Sequence, residues 1–279
     1  MAPVTQAALA DADTVGWMGE PAVGTMLRDW RRRQRRSQLD LALDAGISTR
    51  HLSFVETGRS RPSPEMVLAI ADRLEVPLRE RNRLLLAAGY APRYSARALE
   101  DPELAPIRQA LGHVLTGHEP NPALAVDHHW NLVASNGALT LLLDGVADEL
   151  LEPPVNTLRL ALHPQGMARR VVNLAEWRAH LLHRLDRAIG VRGDDWLIEL
   201  QRELFAYPSD GAPAPPAPSS EVMVGLRIAA SDGTELSFFS TITVFGTPLD
   251  VTVSELAIEA FYPADAVTAA ALAASSDAS

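Results

Sequence analysis

Apolar residues recur at helical spacing through the first third of the chain and predict an all-helical unit of five short helices over residues 23–90. The first helix is expected over residues 23–35, and the next two fall within residues 37–57. The fourth begins at Ser63-Pro64 and the fifth follows Pro77, because proline is favoured in a first helical turn. The positions expected to face inward are Val23, Leu27, Trp30, Leu41, Ala42, Ala45, Leu52, Val55, Met66, Ile70, Leu74 and Leu84–Leu86.

From Asn121 onward the pattern changes to short apolar runs and alternation, which predicts an α+β module. We expect about five antiparallel strands with helices packed on one face, and a type I′ hairpin turn at Asp232-Gly233. The predicted strands are 123–126, 130–135, 223–230, 236–243 and 251–262, the last with a register shift near Leu256. The predicted helices are 102–115, 156–162, 174–189 and 194–205.

These patterns divide the chain into five parts. Residues 1–20 are expected to be a disordered arm, 21–91 the helical head, and 92–120 a linker with one helix. The linker either transmits movement between domains or connects them passively. Residues 121–270 form the α+β domain, which contains a proline-rich surface loop over 208–220, and residues 271–279 a flexible tail.

Charge separates the head from the rest of the chain. Residues 21–94 hold 14 arginines and 8 acidic residues, a net of +6, whereas the remainder holds 11 arginines and 27 acidic residues, a net of −16. A basic module joined to an acidic one favours a DNA-binding head with a sensing body over a single enzyme. Without cysteine, and without an apolar run long enough to span a membrane, the chain is expected to be cytoplasmic and nucleoid-associated.

Residues 37–58 carry the most specific motif in the sequence. Ser37 is a good N-cap with Asp40 at the N3 position, Gly46 stands where a helix ends in a left-handed conformation, and Ser48 begins a second short helix. A helix-turn-helix places such a second helix in the DNA major groove. The segment resembles the helix-turn-helix of XRE-type (Cro/lambda-repressor-like) regulators in its run Ser37-Gln38, Leu41-Ala42, Ala45-Gly46-Ile47-Ser48, Leu52-Ser53 and Val55-Glu56-Thr57-Gly58.

The resemblance implies binding to a double-stranded DNA operator. It also implies an ion pair between Arg31 and Glu56 that braces the first helix against the recognition helix. Phe54 departs from the polar residue common at its position, and either contacts a thymine methyl group or packs on the next helix. We expect a homodimer to place two heads in successive major grooves. The predicted DNA contacts are Gln38, Ser48, Thr49, Arg50, His51, Ser53, Arg59, Arg61, Arg28 and Arg32.

Three later motifs extend the resemblance over nearly the whole chain. The segments 130–136, 173–178 and 261–265 resemble the MmyB-like ligand-binding domain, which has a PAS-like fold and follows an XRE-type head. This resemblance implies a buried pocket for a small apolar effector such as a fatty acid, with no other cofactor. The residues expected to line that pocket are Trp130, Leu132, Trp177, Leu181 and Phe239.

The sequence also bears on three other functions: an enzyme, a metal-responsive regulator and a dimerisation or interaction module. No phosphate-binding loop or nucleophile motif occurs, so we predict no enzyme and no catalytic residue. Glu176, His180 and His183 lie on one helix face with metal-ligand spacing, which leaves a metal-responsive regulator as one alternative. A C-terminal domain used only for dimerisation or protein interaction is another. His128 and His129 are expected to be solvated residues of a hairpin turn.

Overall fold

The computed structural model describes residues 22–192, 194–208 and 224–277. The chain divides into two compact units, with the boundary between Ala96 and Arg97. The arm predicted over residues 1–20 lies outside the described residues, as does the predicted proline-rich loop after Pro208. Each unit has its own apolar core.

Within the described residues, the first unit contains the five helices that the apolar pattern predicts. They are α1 (Val23–Arg33), α2 (Gln38–Asp44), α3 (Thr49–Glu56), α4 (Pro64–Arg73) and α5 (Leu78–Ala87). Helices α2, α3 and α4 each follow a serine whose Oγ accepts a hydrogen bond from the backbone N–H three residues on, at Ser37, Ser48 and Ser63. Such N-caps satisfy donors that the first helical turn leaves free, so they set where these helices begin. Gly46, with φ of +67°, turns the chain between α2 and α3.

The core of the first unit forms where α1, α3 and α4 meet. Leu27, Leu52 and Ile70 are fully buried there. Gly24 lets α1 approach α3 closely, because a Cβ at this position would overlap the backbone of Val55. One inward position in α4 differs from the prediction: Val67 is fully buried and Met66 only packs at the edge of the core, because the buried stripe runs one residue later.

The second unit is built on a five-stranded antiparallel sheet, so the predicted α+β fold class is confirmed. The strand order is β2-β1-β5-β4-β3. The strands are β1 (Ala123–Val126), β2 (Leu132–Ser135), β3 (Leu226–Ala229), β4 (Glu235–Val244) and β5 (Ala257–Pro263). The helices are α6 (Ala105–Thr116), α7 (Thr140–Leu143), α8 (Thr157–Leu162), α9 (Leu174–Arg192), α10 (Asp195–Ala206), α11 (Val251–Glu255) and α12 (Ala266–Asp277).

The predicted strand over residues 251–262 is wrong in its first half. Residues Val251–Glu255 form α11, because the Asp250 carboxylate accepts a hydrogen bond from the backbone N–H of Thr252 and caps a helical turn. The strand begins only after Leu256, close to the predicted register shift. Alternation over 251–253 resembles a strand, but a capped turn with two buried valines produces the same pattern.

Two turns also differ from the sequence expectation. The β3–β4 hairpin is present, but only Gly233 has a positive φ and Asp232 does not, so the turn is not type I′. The N–H of Gly233 donates to the carbonyl of Ala230, which closes the turn one residue earlier. Strand β2 begins at Leu132 rather than at Trp130, because the backbone of Trp130, with φ of +61°, is not extended.

Helices cover both faces of the sheet, not one. Leu111 and Leu115 of α6 pack on Ala123, Ala125 and Ile258 of the sheet. The opposite face of the sheet forms the main core with residues of α8, α9 and α10. Residues 97–120, which fall in the predicted linker, lie within the second unit, where the one helix predicted there, α6, packs as a layer on the sheet.

The predicted flexible tail is helical in its described part. Helix α12 continues to Asp277, and Leu272 is buried in the main core. The Oγ1 of Thr268 accepts a hydrogen bond from the N–H of Ser237, which joins this helix to β4. The alanine-rich composition of this segment has high helix propensity, which accounts for the helix.

Candidate DNA-binding surface and ligand cavity

The recognition helix α3 has one buried and one accessible face. Leu52 and Val55 are buried in the core of the first unit. Arg50 is exposed, while the other three residues predicted to contact bases, Thr49, His51 and Ser53, are partly exposed. Ser48, also predicted to contact DNA, caps the helix by accepting a hydrogen bond from the N–H of His51 at 3.1 Å.

Glu56, at the end of α3, binds three side chains from the two preceding helices. The predicted ion pair is present: Arg31 Nε and Nη2 donate to the two Glu56 carboxylate oxygens at 2.7 and 2.8 Å. Gln38 Nε2 donates to the same carboxylate at 2.8 Å, and Arg28 Nη2 to the Glu56 carbonyl at 2.9 Å. Burial alone would raise the Glu56 pKa, but the hydrogen bonds from Arg31 and Gln38 outweigh it and lower that pKa.

These bonds change the predicted DNA roles of Arg28 and Gln38. Both side chains help to hold the recognition helix, Gln38 through Nε2 and Arg28 through Nη2. Both lie far from Glu56 in sequence, by 28 and 18 residues, so spacing gave no sign of these bonds.

Arg61 was predicted to contact phosphate, but the structure gives it an intramolecular role. Its Nε and Nη2 donate to the carbonyl of Ala88 at 3.0 and 2.8 Å, and Nη2 also reaches the carbonyl of Gly89 at 3.3 Å. Its guanidinium carbon lies 4.9 Å from the ring centroid of Tyr90. Arg61 therefore satisfies carbonyls at the end of α5, which a helix C-terminus leaves without partners.

Two predicted DNA-contacting arginines lie beside one aromatic ring. The guanidinium carbons of Arg50 and Arg59 are 5.3 and 6.0 Å from the ring centroid of Phe54. A phenylalanine at this position thus orients cations by cation–π contact. Arg32 is exposed and makes no side-chain hydrogen bond or ion pair with any described residue. Arg32, Arg50 and Arg59 are accordingly the predicted contacts whose charge points to solvent.

The second unit encloses an apolar cavity between its sheet and helices α7, α8 and α9, with a volume of about 50 Å³. Four of the five residues predicted to line a pocket line this cavity: Trp130, Leu132, Trp177 and Leu181. Phe239 does not, because it faces the other side of β4 and stacks on Tyr262 with ring centroids 5.1 Å apart. The remaining lining residues are Leu124, Leu139, Leu142, Leu143, Thr157, Leu158, Leu160, Ala161, Met167, Arg184, Leu226, Glu259 and Phe261.

Polar groups in this lining include the Trp177 indole, the Thr157 hydroxyl and the Arg184–Glu259 pair. The indole Nε1 of Trp177 is buried and has no hydrogen-bond acceptor among the described residues. Arg184 Nη1 donates to Glu259 Oε1 at 3.0 Å, and both side chains are nearly buried. Trp130 and Arg184 also line a neighbouring open groove of about 480 Å³. Arg184 and Glu259 were not predicted to line the pocket, although Arg184 follows Trp177 and Leu181 at helical spacing.

The histidines considered in the sequence lie in two different settings. Glu176, His180 and His183 do not converge on a shared metal position in the described part of the chain. Burial lowers the pKa of His180, which stacks on Trp177. His128 and His129, expected to be solvated, are instead partly buried and paired: His128 Nδ1 lies 3.3 Å from Glu255 Oε2, and His129 Nε2 lies 2.9 Å from Asp194 Oδ2.

Comparison with known protein families matches both units. Residues 27–81 match a helix-turn-helix family, and residues 107–274 match the MmyB-like transcription regulator ligand binding domain. A search of curated proteins finds no significant match to this chain. In the described residues, no helix is long and apolar enough to cross a membrane. The second match covers more than half of the chain, which therefore belongs to the MmyB-like transcription regulators, DNA-binding proteins with a C-terminal ligand-binding domain.

Proposed function

We propose that this transcription regulator is controlled by a fatty-acid-like molecule that binds in the apolar cavity of its second unit. The observation that carries the proposal is Trp177, which lines the apolar cavity and whose indole N–H is buried without an acceptor among the described residues. Buried donors are nearly always hydrogen-bonded, so such a group is a candidate for a ligand oxygen. Arg184 is the one cationic side chain in this lining, as far as the structure describes the chain.

The size of the cavity constrains how such a ligand binds. A volume of about 50 Å³ is well below that of a typical small-molecule pocket, roughly 300 Å³ or more. The neighbouring groove of about 480 Å³ shares Trp130 and Arg184 with the cavity. We propose that an acyl chain occupies both spaces and displaces the Trp130 side chain, with its carboxyl group accepting the hydrogen bond from Trp177.

Titration of the full-length protein with octanoate, dodecanoate and hexadecanoate tests this proposal. We expect Trp177→Phe, which keeps an aromatic ring but removes the N–H, to weaken binding at least about tenfold, because a hydrogen bond to a charged group contributes about 1.5–3 kcal/mol. Trp196→Phe is the matched control, because Trp196 stacks on His129 and does not line the cavity. If no acid binds the wild-type protein, the second unit is better described as a dimerisation or interaction domain.

We also propose that the protein reads its operator as a homodimer. Thr49, Arg50, His51 and Ser53 of each α3 would contact base edges in successive major grooves. The accessibility of this face supports the proposed base contacts. Sedimentation should detect a dimer on operator DNA, and a monomer both free and bound would contradict it.

Control by the ligand requires different affinities for DNA-competent and DNA-incompetent states. Operator affinity should therefore change when dodecanoate is added to the wild-type protein, and change less for Trp177→Phe. Equal operator affinity of the wild-type protein with and without saturating dodecanoate would show that dodecanoate binding does not regulate DNA recognition.

A further inference from the structure

Two histidines and an aspartate converge beside the groove of the second unit. His128 and His129 lie in the β1–β2 connection, and Asp194 immediately precedes α10. One potential ligand atom from each residue lies within 4.8 Å of the other two. We propose that these three side chains bind a divalent transition-metal ion of the Zn²⁺ class.

Binding such an ion would change the separations of the three ligand atoms, which all lie within 4.8 Å of one another. Tetrahedral zinc with bonds of about 2.0–2.1 Å places its ligand atoms roughly 3.4 Å apart. His129 Nε2 and Asp194 Oδ2 now form a hydrogen bond of 2.9 Å. A metal ion would replace the proton between these atoms, widen this separation by about 0.5 Å and draw His128 closer.

Neighbouring groups already hold the three side chains in place. Asp194 Oδ1 accepts a hydrogen bond from the N–H of Trp196 at 2.9 Å, which leaves Oδ2 to face His129. The ring of His129 stacks on Trp196, with centroids 4.3 Å apart, and lies 3.9 Å from the ring of His128. The rings therefore need little ordering on binding.

Glu255 supplies the outer contact that metal-binding histidines usually have. Its Oε2 lies 3.3 Å from His128 Nδ1, and its side chain is only 6% exposed. A carboxylate bonded to one ring nitrogen orients the imidazole and makes the other nitrogen a better ligand. Glu255 comes from α11, so the cluster joins three separate segments of the second unit.

The ligand chemistry selects the class of ion. Two imidazoles with one carboxylate suit zinc, nickel or cobalt, whereas magnesium and calcium prefer oxygen ligands alone. Three protein ligands leave a fourth position open, as in sites that exchange a water molecule or a small ligand. His128 also lines the groove of about 480 Å³, so the ion would lie at the border of that groove.

Calorimetric titration of chelator-treated, full-length protein with ZnCl₂ tests the proposal, together with the visible spectrum of the Co²⁺-loaded protein. We expect one ion per chain and a tetrahedral cobalt spectrum. Asp194→Asn should weaken zinc binding at least tenfold, while asparagine still caps α10 and preserves the fold. His128→Gln should do the same. His113→Gln is the matched control, because His113 is an exposed histidine on α6.

Thermal unfolding gives a second measurement on the same proteins. Zinc should raise the midpoint of the wild type and of His113→Gln, but not that of Asp194→Asn. No zinc binding by the wild type would overturn the proposal and leave a metal-free histidine–carboxylate cluster. Equal zinc affinity of Asp194→Asn and wild type would also overturn it, because the ion would then be bound elsewhere.

Discussion

Arg31 and Glu56 form a bidentate ion pair, with N–O distances of 2.7 and 2.8 Å. This pair joins α1 to the end of the recognition helix. Glu56 is 2% exposed, and it also accepts a hydrogen bond from Gln38. One carboxylate therefore joins the end of α3 to both α1 and the start of α2. We expect a change to this carboxylate to affect both the stability of the head and the position of its DNA-contacting face.

Replacing Glu56 by Gln should destabilise the head by about 3 kcal/mol, because removal of one partner leaves the nearly buried charge of Arg31 uncompensated. Hydrogen–deuterium exchange in peptides of α1 and α3 of the full-length protein measures this loss. Asp29→Asn is the control, since it removes an exposed acidic charge from α1, the helix that carries Arg31. Equal protection in the two variants would contradict the bracing role of the pair.

The two buried glutamates of the head, Glu56 and Glu80, should make its stability depend on pH in opposite directions. The Glu56 pKa is lowered from 4.5, so its stabilising contribution is present above about pH 4.5 and is lost as the pH falls through the lowered value. Burial raises the pKa of Glu80 above 4.5, so ionised Glu80 opposes folding at neutral pH. We expect Glu80→Gln to increase protection of α5 amides at neutral pH and Glu56→Gln to decrease protection of α3. A loss of protection in Glu80→Gln would show that its hydrogen bonds to Arg83 dominate.

Arg59 and Arg61 lie two residues apart but should behave differently. Arg59→Ala should weaken binding to all duplexes about equally and reduce the slope of log affinity against log salt by about 1 per head. Arg61→Ala should leave that slope unchanged and destabilise the head by about 1–2 kcal/mol, because carbonyls at the end of α5 lose their donors. Filter binding over a salt series, with exchange measured in α5, separates the two. An equal fall in slope for both variants would show that Arg61 also contacts phosphate.

Local signals predicted the helices of the head well. Ser37, Ser48 and Ser63 cap the helices they were expected to cap, and Gly46 has the expected positive φ. Each of these features depends on residues within about four positions, which a sequence displays directly. The partner of Arg61 is 27 residues away, and such a bond exists only once the helices have packed.

In the second unit, even more of the important contacts join residues that are distant in sequence and so could not be predicted from it. Trp177 and Leu181 both line the cavity. Sequence spacing predicts this, because the two residues lie four positions apart on one face of a single helix. Phe261, rather than Phe239, supplies the ring from the sheet, because the face of each strand depends on its register with neighbours. The pairs His129–Asp194 and Arg184–Glu259 are 65 and 75 residues apart, and no local pattern connects them.

Arg50 should determine one base pair in each half-site, and Phe54 should act through it. Arg50→Ala should cost roughly 1–3 kcal/mol and relax preference at one position, as expected when a bidentate contact to guanine is lost. Phe54→Leu keeps an apolar side chain but removes the ring that lies 5.3 Å from the Arg50 guanidinium. It should cost about 0.5–1 kcal/mol at the same base pair, because the cation is no longer oriented.

Selection from a randomised duplex library, followed by affinity measurements for the two single variants and the double variant, separates the roles of Arg50 and Phe54. Because Phe54 is expected to act only through Arg50, the double variant should lose little more affinity than Arg50→Ala alone. His51→Gln serves as the control on the same helix and should affect a different position. A change of preference at another base pair in Phe54→Leu would mean that the ring contacts a base itself, for instance a thymine methyl group.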